Sequence, residues 1–305
     1  MISRRNIVQT AVALATAGAI AGTAHAERWQ DQYKTLTLGV ITSENESDRL
    51  QRFKPVRDYL EKELGVGIKW RSATDYAGII EGVKSKKIEL AYFGPASYAK
   101  AWNVTGGKIT PLLGALDKAG DFGYFAVVVV KKDSPYQKID DLRGKTFAFA
   151  DPNSTSGHQA PRYFLGEAGI DADQFFGKTV FSGSHENSIM GLVNGTFDGA
   201  ATWYRSESRS NMTRMEGKKM IEPDQWRVIW KSPRLPSSPW TMPTWLPEQM
   251  RVDVKNVMMA MKDKNPEAWA ALTDGKSSGY QEVTHADYEP IVRMIQANLR
   301  KRKGS

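Results

Sequence analysis

The chain is 305 residues long, more than one small core usually holds, and its 41% hydrophobic and 25% charged residues exclude a disordered chain and point to two lobes. It contains no cysteine, and its four histidines (His25, His158, His185, His285) form no H-x-x-x-H pair, so a disulfide scaffold, a thiolate metal site and a zinc hydrolase are not expected. The net charge of +8 sits at the ends: residues 1–26 hold Arg4 and Arg5 and no acid, residues 300–303 add four cations, and the body between carries +2. A basic face for nucleic acid is therefore not expected.

Residues 1–26 join a charged start (Ser3-Arg4-Arg5), a mildly apolar run over 11–21 and an Ala24-His25-Ala26 end, the three parts of a secretory leader. The run is too short for a bilayer span, which needs about 20 residues. Paired arginines ahead of it mark the twin-arginine variant. Cleavage after Ala26 is expected to leave 279 residues with no later apolar run of 18, hence no stable membrane insertion.

Alternation over residues 36–40 then predicts a first strand. Residues 48–64 set Leu50, Phe53, Val56, Leu60 and Leu64 on a helical stripe that Gly65 ends, with Pro55 required in the first turn or at a kink. A strand over 68–70 follows, then a helix capped by Thr74 that carries Ile79, Ile80 and Val83, then strands over 88–93 and 110–116. The β-branched run at 125–130 reads as a strand crossing between lobes. Beyond it come a short helix at 139–142, a strand over 146–150, a helix from about Gly157, a helix capped by Ser184 and a strand over 197–201. Residues 226–230 make a second crossing strand before Pro233, Pro236, Pro239 and Pro243; residues 247–302 read as helices packed on the first lobe. Strands alternating with helices predict α/β lobes with mainly parallel sheets.

Two features carry chemistry. Tyr76, Ile79, Ile80, Val83, Ile88 and Ala91 are echoed by Glu186, Ile189, Met190, Val193, Phe197 and Ala200, as if each lobe aimed the same helix start at a shared cleft beyond the carboxyl ends of its strands. Between a strand and a helix lies Asp151-Pro152-Asn153-Ser154-Thr155-Ser156-Gly157. A plain N-cap needs one hydroxyl; three in succession at a helix start, where amides lack partners, make an anion site without a full positive charge. His185, at its own helix start, is placed to add a donor.

Asp75-Tyr76-Ala77-Gly78-Ile79-Ile80, Tyr92-Phe93-Gly94-Pro95, the Ser154-Thr155-Ser156 loop and Gly183-Ser184-His185-Glu186-Asn187 together resemble, in order and spacing, the periplasmic phosphonate-binding proteins of ABC transporters. The resemblance runs from about Leu36 to Pro236. It implies a type II periplasmic binding fold: two α/β lobes, a ligand cleft between them and two crossover strands, with residues 27–125 plus 235–305 as one lobe and 126–234 as the other. It implies no enzyme and no cofactor, but a periplasmic component that hands a phosphonate to a membrane permease. Tyr76, Ser154, Thr155, Ser156 and His185 inherit the phosphonate oxygens.

Relatives that take aminoalkylphosphonates place carboxylates around the ammonium, and in this register those positions fall on Arg205 and Ser238. Trp203, Tyr204, Arg205 and Trp240 are expected at the far end of the pocket, with Glu207 the nearest acid. Phe93 stands where some relatives have tyrosine, so one hydroxyl is missing or comes from Tyr92. An alkylphosphonate such as methylphosphonate, or phosphite, ranks level with 2-aminoethylphosphonate as ligand.

Two other readings compete. A hydrolase would use Ser154 or Ser156 as nucleophile, His185 as base and Asp151 or Asp198 to orient it, but there is no G-x-S-x-G elbow. An exported sensory module for a membrane kinase would use the same fold.

Overall fold

The computed structural model of the protein describes residues 28–304. The leader expected over residues 1–26 lies outside the described residues.

The first stretch of chain runs α1 (Trp29–Gln32), β1 (Thr35–Val40), α2 (Glu46–Leu64), β2 (Gly67–Arg71), α3 (Tyr76–Lys84), β3 (Leu90–Tyr92), α4 (Pro95–Val104) and β4 (Ile109–Ala115). Leu36, Leu38 and Val40 of β1 pack on Phe53, Val56 and Leu60 of α2, which is why the alternation on one element and the helical stripe on the other were both visible in the sequence. Gly65, at φ 68°, ends α2 in the left-handed conformation. Pro55 lies well inside α2, not in its first turn. Its missing N–H leaves the Gln51 carbonyl without a helical donor, and Gln51 is exposed, so water can serve instead. The cap of α3 is Asp75, whose carboxylate accepts from Gly78 N, and not Thr74.

The second stretch runs β5 (Phe125–Lys131), a 3-10 turn (Ile139–Leu142), β6 (Thr146–Phe149), a π-turn (Thr155–Gln159), α5 (Ala160–Glu167), α6 (Ala172–Phe175) and β7 (Lys178–Phe181). It continues with α7 (His185–Val193), β8 (Gly199–Ser206), β9 (Arg209–Ser210), α8 (Asn211–Gly217) and β10 (Trp226–Lys231). The third comprises β11 (Pro239–Pro243), α9 (Glu248–Met259), α10 (Met261–Lys264), α11 (Pro266–Thr273), β12 (Tyr280–Glu282) and α12 (Glu289–Gly304).

Two sheets result, ordered β12-β4-β11-β3-β1-β2 and β10-β5-β8-β6-β7, with β9 added to β8. Each is mixed, where mainly parallel sheets were expected. The pairs β1–β2, β1–β3, β6–β7 and β6–β8 are parallel. The pairs involving β5, β10, β11 and β12 are antiparallel: β5 and β11 bring the chain in from the other sheet, β10 takes it out again and β12 returns from the C-terminal helices.

The runs expected to cross between lobes, 125–130 and 226–230, lie wholly within the second sheet. The chain changes sheet in residues 116–124 and 232–238, where Tyr124 and Leu235 exchange backbone hydrogen bonds of 2.9 and 2.8 Å. Helix α12 does not pack on the first sheet's helices alone. Ile291 and Met294 share one core with Ala96 and Ala99 of α4 and Ala160 of α5, and Asn298 donates to Gln159 O at 3.0 Å. It thus lies across the crossing segments.

Candidate functional site

The two sheets face each other across a cleft of about 700 Å³ of empty space, its mouth included. It lies where β1, β3, β6 and β8 end, the usual ligand position of α/β sheets. The loop leaving β6 supplies Ser154, Thr155 and Ser156, all buried. Ser154 caps the π-turn through Gly157 N at 3.0 Å, and the Thr155 and Ser156 amides open that turn with no helical carbonyl before them. Thr155 Oγ1 accepts from Ala96 N, in the first turn of α4, at 2.8 Å, so a helix start from the first sheet meets the loop from the second. Tyr76 and Tyr124 line the cleft beside this loop.

His185, the first residue of α7, completes this cradle. Its Nε2 lies 3.1 Å from Ser154 Oγ and its Nδ1 3.1 Å from Thr202 Oγ1. Burial, with Arg214 nearby, lowers its pKa to about 3, so the imidazole is neutral and offers one donor and one acceptor. Burial also pushes the Tyr124 hydroxyl up to about 12 and raises Tyr76 further, so both stay protonated donors. Gly157 is required by close approach: a Cβ there would lie 2.6 Å from Ala150 Cβ and 2.8 Å from His185 Cε1. The echoed helix starts do converge, since Tyr76 and His185 open α3 and α7 and both line the cleft.

Ser154 beside His185 superficially resembles a nucleophile and base, but neither aspartate orients the ring. Asp151 accepts from Asn153 N and Tyr76 N, and Asp198 accepts from Tyr136 OH and Thr146 N. The ring nitrogen that an orienting carboxylate would hold faces a threonine hydroxyl instead.

The cleft is also cationic: Arg52, Arg205, Arg209 and Arg214 line it with Trp203, Ser238 and Leu272, and among the described residues no carboxylate does. Arg214 stacks 4.8 Å over the Trp203 ring. Asp274, at the end of α11, accepts from Arg209 Nε at 3.2 Å and from Arg214 Nη2 at 2.8 Å. Burial lowers the pKa of Arg209 to about 10, whereas Arg214 is held above its ordinary value because Asp274 and Glu44 outweigh burial. At the mouth, Lys218 of the second unit pairs with Glu44 at 3.2 Å and Asp48 at 2.8 Å from the first, and with Glu186 at 2.6 Å. Glu186 also accepts from Asn45 N at 2.9 Å. Burial alone would raise the pKa of Glu44, but Arg52, Arg214 and Lys218 hold it at about 2.

Of the ten residues expected to bind ligand, Tyr76, Tyr92, Ser154, Thr155, Ser156, His185, Trp203 and Arg205 come together in this cleft. Phe93 and Tyr204 do not line it. Successive strand residues face opposite ways, so with Tyr92 inward Phe93 packs with Ile79 and Tyr98, and with Trp203 and Arg205 inward Tyr204 packs toward Met212 and Met215. Trp240 is fully buried against Phe53 and Tyr92. Glu207 is exposed on the turn between β8 and β9. Tyr124, Ser43, Arg52, Arg209 and Arg214 were not anticipated. The one local signal for the last two was the recurrence of arginine at 205, 209 and 214 in a nearly neutral body.

Two α/β units joined by a double crossing, with a cradle of polar side chains built from both, define a bilobal solute-binding protein. The chain belongs to the family of periplasmic substrate-binding proteins of ABC phosphonate transporters, whose sequence model matches residues 38–288. It is 32% identical over 254 residues to the phosphonates-binding periplasmic protein of Escherichia coli (strain K12), covering 82% of this chain and 71% of that one. It is 30% identical over 276 residues to the phosphate-import protein PhnD of Mycolicibacterium smegmatis (strain ATCC 700084 / mc(2)155), covering 85% and 84%. PhnD1 from Prochlorococcus marinus (MIT 9301), solved in complex with methylphosphonate, superposes with a TM-score of 0.73 at 25% identity, over 87% of this chain and 98% of that one. The family is a transporter's binding component and not an enzyme, so the hydrolase reading falls. Among the described residues no helix is long and apolar enough to cross a membrane.

Proposed function

We propose that this protein is exported by the twin-arginine route, captures a phosphonate in the periplasm and delivers it to an ABC permease. The observation that carries the ligand assignment is the cradle of Ser154, Thr155, Ser156, Tyr76, Tyr124 and neutral His185. These are donors without full charge, gathered from both sheets at helix starts. In this reading residues 27–125 plus 235–305 and residues 126–234 act as lobes that close on the anion, hinged at 116–124 and 232–238.

Five hydrogen bonds to a charged phosphonyl group, at roughly 1.5–2 kcal/mol each, amount to about 7–10 kcal/mol before ordering costs, or about micromolar to tens of nanomolar affinity. Neutral donors also release the anion more readily than an arginine clamp, as delivery requires. Calorimetric titration of the purified protein lacking residues 1–26 with methylphosphonate, phosphite, phosphate and sulfate tests the reading. A phosphonate or phosphite should bind far more tightly than sulfate, since His185 offers an acceptor to a protonated ligand oxygen and sulfate brings no proton. Thr155→Ala should cost about 1.5–3 kcal/mol of binding. Unchanged affinity in that variant would remove the cradle from the mechanism.

A further inference from the structure

The cradle's donors are neutral, yet the same cleft is lined by Arg52, Arg205, Arg209 and Arg214. Arg52 is paired with Glu44 through Nε and Nη2. Arg209 and Arg214 share a single carboxylate, Asp274. Arg205 has none: its Nη1 donates to Ala115 O at 3.2 Å and its Nη2 to Ser237 Oγ at 3.2 Å, both neutral acceptors. Of the Arg205, Arg209 and Arg214 guanidiniums, two are salt-bridged, both to Asp274, while Glu44 acts on Arg214 and Asp117 on Arg205 without bonding them.

A sequestered cation with only neutral acceptors is costly unless an anion completes it. The carboxylates that do belong to this region, Glu44 and Asp274, sit behind the arginines and not on the lining. The guanidiniums are also held in place: Arg214 stacks on Trp203, and Arg205 is tied to the end of β4 through Ala115 O and to the second crossing segment through Ser237 Oγ. Planar, immobilised forks suit a planar carboxylate or a second phosphonyl group, and they repel an ammonium. Tyr124, the Ser154–Thr155–Ser156 loop and Arg205 line one cleft, so a single ligand with two anionic groups can meet both sets of donors.

We infer that the ligand is a phosphonate bearing a second acid group, a short phosphonocarboxylate or bisphosphonate, with the phosphonyl group in the Ser154–Thr155–Ser156 cradle and the second acid read by Arg205 together with Arg209 and Arg214. The inference rests on the phosphonate reading above. Arg205 is thereby the residue that sets specificity for the substituent on phosphorus.

The test is competition calorimetry on the mature protein with methylphosphonate, phosphonoacetate, 3-phosphonopropionate, methylenebisphosphonate and 2-aminoethylphosphonate. At least one diacid should bind about ten-fold or more tightly than methylphosphonate, and 2-aminoethylphosphonate more weakly than methylphosphonate. Whether a carboxylate or the bisphosphonate binds best identifies the second acid. Methylphosphonate bound as tightly as every diacid overturns this inference and leaves phosphonate capture standing. Binding of none of the five overturns both. In Arg205→Gln, which keeps a donor for Ala115 O, the diacid-to-methylphosphonate affinity ratio should fall about ten-fold; a ratio at its original value overturns the role of Arg205. Should that variant fail to fold, the ligand panel on the unmodified protein still decides.

Discussion

His185 shows how one buried side chain couples stability to binding. Its pKa is lowered from the ordinary histidine value to about 3 by burial, with a contribution from Arg214. Between those values the unfolded chain binds a proton that the folded chain does not. The stabilisation is therefore complete above pH 6.5 and lost progressively as pH falls toward 3, at up to about 1.4 kcal/mol per pH unit. Chemical denaturation between pH 6.5 and 5 should show this slope, and His185→Gln should flatten it. An unaltered slope would mean that His185 is protonated in the folded protein. Gly157 sets a second constraint at this scale. Gly157→Ala places a methyl group against Ala150 and the His185 ring, which should cost about 1–3 kcal/mol of stability and weaken anion binding. Thermal unfolding and methylphosphonate titration of that variant check both effects.

Among the elements, α2 carries the most instructive irregularity. Pro55 interrupts its hydrogen-bond ladder on the exposed side, while Phe53, Val56 and Leu60 hold the buried side to β1. Packing of the apolar face thus outweighs the local preference against proline, whose interior cost is about 3 kcal/mol relative to alanine. Pro55→Ala restores an N–H for the Gln51 carbonyl and should raise stability by about 1–3 kcal/mol. A denaturation midpoint that does not rise would show that the ring itself contributes packing of equal value. Strand β11 makes the converse point. Prolines stand at both of its ends, Pro239 and Pro243, yet it pairs with β3 and β4 in the middle of a sheet. Pro at strand ends breaks few ladder bonds.

For the molecule as a whole, closure is held by charges at the rim of the cleft. Lys218 joins Glu44 and Asp48 across the mouth and also neutralises Glu186; Glu44 and Glu186 are almost fully buried. Removing the cation leaves these carboxylates uncompensated, a cost of several kcal/mol where a buried pair is broken. Opening the cleft relieves it by returning them to water. Lys218→Met should therefore enlarge the radius of gyration of the ligand-free protein in solution scattering and weaken phosphonate binding. A radius and affinity equal to those of the unmodified protein would show that the mouth is closed by other contacts.

The sequence carried β1, α2 and α7 in an apolar spacing that records one buried face, and β5 in an unbroken apolar run that records burial on both. It also determined the cradle on the loop after β6, since Ser154, Thr155 and Ser156 are contiguous and Ser184-His185 is a local cap. The choice between neighbours was tertiary: Tyr92 over Phe93, and Arg205 over Tyr204, depended on which face of a strand turned to the cleft. Tyr124, Arg52, Arg209 and Arg214 join the site from a crossing segment and three separate elements, and only the recurrence of arginine at 205, 209 and 214 gives the last two a local mark. The place of the crossings was likewise decided by pairing, because the runs at 125–131 and 226–231 found their partners within the second sheet. Chemistry carried by adjacent residues is legible along a chain; chemistry assembled across a cleft exists only once two sheets have set its walls.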